Sequence, residues 1–90
     1  MTDAPYRVRV TVRLNPGVND PQGLTVKDGL QAIGFGQVVD VRVGKLIDLV
    51  LTAKSAEEAR ARVEAMCRDL LANPVIETFD IEIVPDRGPG

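Results

Sequence analysis

Histidine and tryptophan are absent, cysteine occurs once, at Cys67, and the aromatic residues are Tyr6, Phe35 and Phe79 alone. Each shortage excludes something. A lone thiol can form no disulfide within the chain, which fits a reducing compartment. Without histidine there is no ordinary zinc set and no imidazole to activate a nucleophile. Three aromatic rings are poor equipment for stacking bases, and with 13 acids against 11 bases, interspersed, there is no basic footprint for nucleic acid. No apolar run approaches the ~20 residues of a membrane-spanning helix. The start, Met1-Thr2-Asp3-Ala4-Pro5-Tyr6-Arg7, lacks the apolar stretch of a signal peptide. The expectation is a cytoplasmic protein with neither a membrane nor a nucleic-acid partner.

What is present reads as one small domain. The chain has 90 residues, and a chain of this size buries only about 60–65% of its unfolded surface, so oligomerisation is a common remedy. Residues 1–84 are taken as the domain and 85–90, Pro-Asp-Arg-Gly-Pro-Gly, as a flexible C-terminal tail. Tyr6, Val8, Val10, Val12 and Leu14 alternate with Arg7, Arg9, Thr11 and Arg13, which predicts a strand with one dry and one wet face. Asp20-Pro21 then opens a helix: the carboxylate caps free N–H groups, and proline suits the first helical position. Val26, Leu30 and Ile33 follow at helical spacing, and Gly34 suits the residue beyond the end. Gly23 and Gly29 each weaken this helix by about 1 kcal/mol relative to alanine, so it should lean on packing.

Val38 to Thr52 admits two readings. Val39, Val41 and Val43 share a parity with Ile47, Leu49 and Leu51. A two-residue turn at Gly44-Lys45 would throw the two halves out of phase. Either a three-residue loop, Gly44 to Leu46, makes a hairpin, or one long strand passes through Gly44 and is shared across a segment-exchanged dimer. Ser55-Ala56-Glu57-Glu58 is a capping box that starts a second helix, expected to bury Ala59, Val63, Met66 and Leu70, with Cys67 and Leu71 as further candidates. Asn73-Pro74 stops it. Phe79, Ile81 and Ile83 face inward on a last strand, with Thr78, Asp80 and Glu82 outward. The order predicts an α+β fold, a two-layer ferredoxin-like βαββαβ sandwich with the first and last strands as antiparallel neighbours. Arg7, Arg9 and Arg13 would then face Asp80 and Glu82.

No complete catalytic set is visible. Cys67 sits on an apolar helix side with no base, and Glu57-Glu58 is already explained as a helix start. Arg42, Gly44 and Lys45 bring two cations to a glycine without phosphate-loop spacing; they are either a solvated turn or a docking point for an acidic surface. Asn73 holds either a simple helix stop or a turn that a partner reads. Asp20, Pro21, Gly23 and Pro74 are taken as structural.

Three segments in register carry a family likeness: Pro16-Gly17-Val18-Asn19-Asp20-Pro21-Gln22-Gly23, Val41-Arg42-Val43-Gly44-Lys45 and Leu70-Leu71-Ala72-Asn73-Pro74-Val75-Ile76-Glu77. Together they closely resemble the PurS family, small subunits of phosphoribosylformylglycinamidine synthase, and the likeness spans roughly Tyr6 to Val84. The resemblance implies a non-catalytic accessory subunit of de novo purine biosynthesis. Such a chain associates with itself, as a dimer or tetramer, and bridges a glutaminase (PurQ-like) and a large synthase (PurL-like) subunit, assisting ammonia transfer. It implies no cofactor in this chain, with ATP, Mg and glutamine used by the whole complex, an ATP-dependent amide-nitrogen ligase. The alternative is an ACT-like regulatory domain binding a small molecule such as an amino acid near Asn15-Pro16-Gly17-Val18. An acylphosphatase-like enzyme is discounted, because that loop offers no arginine.

Overall fold

The alternating stretch that begins the chain forms the central strand of the sheet. In the computed structural model, which describes residues 3–84, β1 spans Ala4–Leu14. The expected tail at 85–90 lies outside the described residues. β1 is paired antiparallel on one side with β2 (Lys45–Ala53) and on the other with β3 (Glu77–Val84), giving the order β2-β1-β3. The predicted neighbourhood of first and last strands is therefore present. Val8, Val10 and Val12 are fully buried, as their alternation requires.

Helix α2 (Ala56–Met66) covers the dry face of all three strands. Ser55 Oγ accepts from the Glu58 N–H at 3.1 Å, while the Glu58 carboxylate reaches the N–H of Lys54 and not that of Ser55, a variant of the expected box. Ala59, Val63 and Cys67 are buried, but Met66 is 37% exposed and Leu70 83% exposed. Both predictions are corrected: Ala59, Val63 and Cys67, spaced by four, form the buried stripe and leave Met66 at its border, while Leu70 is displaced by the helix end. Cys67–Leu71 is a π-helical turn, and its wider winding brings Leu71 and not Leu70 back towards the sheet.

Helix α1 (Pro21–Ala32) begins at Asp20 and is followed by Gly34 with φ +112°, as expected. It has at most marginal contact with any other element. Leu24, Val26, Ile33 and Phe35 are exposed, Ile33 at 72%. The packing this glycine-containing helix needs is not supplied by its own sheet. Val38 to Gly44 carries no strand pairing, and no hairpin onto β2 exists among the described residues. The radius of gyration is 17.1 Å, against about 12 Å for a compact domain of this length.

Candidate partner-docking site

The three sequence segments singled out above converge on one corner, where β1 ends. Asp20 organises it. This is the one charged side chain buried among the described residues, at 6% exposure. One carboxylate oxygen accepts from the Gly23 N–H at 2.8 Å, the N-cap bond, and the other from the Val43 N–H at 2.8 Å. The Val43 amide, then the Gly23 amide, hold the Asp20 carboxyl below the usual carboxylate range, with Arg42 adding in the same direction against the opposing effect of burial. The N-terminus of α1 is thus occupied by the chain's own carboxylate. Pro21 fills the first helical position.

Both motif glycines answer to close approach. A Cβ on Gly23 would collide with the Val41 carbonyl oxygen and lie 2.7 Å from the Asp20 carboxylate. A Cβ on Gly44 would lie 2.7 Å from the Val12 carbonyl oxygen. Gly44 is therefore no hairpin tip; it lets the chain run closely past its own β1.

Arg42 Nη2 donates to the Asn15 carbonyl at 3.2 Å, and the Asn15 N–H donates to the Ile76 carbonyl at 2.8 Å. Asn15 so links the Arg42 segment to the turn after α2. In that turn Asn73 Oδ1 accepts from the Val75 N–H at 3.1 Å, and the Asn73 N–H donates to the Glu77 carboxylate at 2.7 Å. Pro74 occupies the turn between them. Lys45, opposite Val12 in the β1–β2 register, is exposed and makes no ion pair among the described residues. Arg42, Gly44 and Lys45 line one open groove of about 780 Å³ with Arg13, Asp40 and Leu46. Asn73 is not in its wall; it reaches the corner through Asn15 and Glu77.

On the outer sheet face Arg13 pairs with Asp80 at 3.0 Å, as expected, but Arg9 pairs with Asp48 of β2 at 2.9 Å although Glu82 stands opposite it on β3. Asp48 raises the Arg9 pKa, first through the hydrogen bond and then through its charge. Both pairs are solvated and add little stability.

The chemistry available here is binding. Cys67 is buried; burial pushes its thiol pKa up and the nearby Glu64 adds to this, with Arg68 opposing. Among the described residues no group of three or more His, Cys, Asp or Glu could hold a metal ion.

Residues 7–85 match the family model for PurS, phosphoribosylformylglycinamidine (FGAM) synthase. The chain belongs to the PurS family. It is 43% identical over 83 residues to the phosphoribosylformylglycinamidine synthase subunit PurS of Synechocystis, covering 92% of this chain and 83% of that one. The crystal structure of Methanocaldococcus jannaschii PurS, one of the subunits of formylglycinamide ribonucleotide amidotransferase in the purine biosynthetic pathway, superposes with a TM-score of 0.78. Identity is 37%, over 88% of this chain and 95% of that one. A chain of the Thermotoga maritima PurLQS structure superposes with a TM-score of 0.82 at 30% identity, covering 90% and 99% of the two chains. The chain is accordingly a PurS subunit of FGAM synthase in purine biosynthesis. The three segments that carry the family likeness meet at this corner.

Proposed function

We propose that the chain is the non-catalytic joint of its synthase: it associates with itself, ties a glutaminase subunit to a large ATP-using subunit, and helps ammonia pass between them. The observation that carries this reading is the corner itself, where two of the three family segments line an exposed cationic groove and the third braces it through the Asn15–Ile76 hydrogen bond. The likeness to a chain of PurLQS supports it. ATP, Mg and glutamine are then handled by the other subunits, in the cytoplasm. Arg42 and Lys45 are the docking cations, with Gly44 and Asn73 setting the backbone around them. A water-excluding joint serves the chemistry, since free ammonia in neutral water is mostly ammonium, which is not nucleophilic.

Self-association is supported by Leu24 of α1 and by Ile33 and Phe35 just beyond it, apolar side chains that are exposed, and by the Val38–Gly44 segment, which carries no strand pairing and whose parity runs on into β2. This favours the long strand shared between two copies over the hairpin. The ACT-like alternative gains nothing: the α1 N-terminus it would use is filled by Asp20, and Asn15 is engaged by Arg42 and Ile76. The test is reconstitution with the glutaminase and large subunits. Omitting this chain should abolish glutamine-dependent synthesis while synthesis fed with high ammonium persists. Unchanged glutamine-dependent synthesis without it would reject the joint.

A further inference from the structure

Val38–Gly44 has two places to go. It can turn back and pair with the free edge of β2, adding a fourth strand within one chain, or it can continue in line with β2. Besides Gln31 of α1, whose side chain donates to the Val38 carbonyl at 2.9 Å, three contacts at the β2 end of the segment hold the second form. Asp20 takes the Val43 N–H at 2.8 Å, Arg42 takes the Asn15 carbonyl at 3.2 Å, and Gly44 lies flush against the Val12 carbonyl. All three tie the segment to β1 and to the start of α1, and β1 lies on the opposite side of β2 from that free edge.

Among the three, Asp20 is the determinant. Its two oxygens serve different masters, the α1 cap at Gly23 and the strand amide at Val43, so helix and segment are held as one body. Its burial raises the stakes, because a buried carboxylate that loses a donor is left with unsatisfied charge. Arg42, by contrast, makes an exposed bond. We propose that Asp20 is a latch: it keeps Val38–Gly44 from closing onto its own β2 and so presents that segment, with the β2 edge, to a second copy of the chain. This rests on the self-association reading above. The latch adds what that reading lacks, a residue that decides between a closed monomer and an exchanged assembly.

Asp20→Ser separates the two roles. Serine caps a helix about as well as aspartate, but its single short hydroxyl cannot hold Gly23 and Val43 together. Asp20→Asn, nearly the same shape with one acceptor oxygen, is the second variant should the first fold poorly. Full-length parent and variants are followed by light scattering through a dilution series, by circular dichroism, and by amide exchange at Val43. The expected result is unchanged helix content, faster exchange at Val43, and dissociation at a concentration about tenfold or more above that of the parent, the usual consequence of losing one charge-assisted hydrogen bond. Variants that dissociate as the parent does reject the latch and leave self-association standing. A parent chain that is monomeric throughout the series rejects both.

Discussion

Replacing Gly44 by alanine tests the close passage of the chain beside β1. The added Cβ would sit 2.7 Å from the Val12 carbonyl oxygen, and ordinary van der Waals contact begins near 3.4 Å, so one backbone must shift by several tenths of an ångström. Neither side is a flexible tip: Val12 is in the central strand, fully buried and paired with Lys45, the residue after Gly44. Gly44 does not have a positive φ, so the penalty is steric alone. The clash is with one backbone at the wall of an open groove, so the cost of overpacking a core, typically about 1–3 kcal/mol, is the upper range for it. Against this stands a gain of about 0.4–1 kcal/mol from a less flexible unfolded chain. The net expectation is a loss of at most about 2 kcal/mol, and for a domain of this size each kcal/mol moves Tm by about 4–8 °C. Gly29→Ala is the internal control. It lies in α1 with nothing within 4 Å of its would-be Cβ, so alanine should stabilise by about 0.5–1 kcal/mol. Thermal and urea melts at one fixed protein concentration measure both, since an assembling protein has a concentration-dependent Tm. Gly44→Ala melting at or above the parent, with Gly29→Ala behaving as expected, would refute the close-approach argument.

Arg42→Ala should leave the melting curve within about ±0.5 kcal/mol of the parent, because its guanidinium is exposed. If Arg42 anchors a partner carboxylate, the same change should weaken assembly with the other subunits by roughly 2–5 kcal/mol; equal binding by titration would remove it from the interface. Asp20 makes stability pH-dependent in a definite direction: its folded pKa is depressed, so its contribution is fully present above the unfolded carboxylate pKa, near pH 4, and is lost as pH falls through the folded value. Urea midpoints of parent and Asp20→Asn should therefore converge on acidification below about pH 4, and parallel curves would contradict this. Cys67, buried with a raised pKa, should resist thiol reagents in native buffer and react fully in denaturant; prompt labelling of folded protein would show that α2 opens readily.

Local pattern carried the sequence a long way. The strict alternation from Tyr6 to Leu14 reports a strand with one buried face because side chains on a strand repeat every two residues, and β1 bears it out. Asp20-Pro21 and Ser55 to Glu58 mark their helix starts because capping is a short-range hydrogen bond between near neighbours. The three family segments were legible too, although not the reason they belong together. That reason lies between residues far apart in sequence. Nothing local says that Asp20 also holds Val43, that Arg9 prefers Asp48 to Glu82, or that Asn15 joins Arg42 to Ile76. Gly23 and Gly44 record close backbone contacts only as missing side chains, which reads on the page of sequence as a weak helix and a turn. Leu70 escaped because the π-helical turn changes the winding that periodicity assumes. Even the exposed face of α1 was written in the sequence as apolar spacing, but spacing says only that a face wants cover; the tertiary structure decided that the cover does not come from the chain's own sheet.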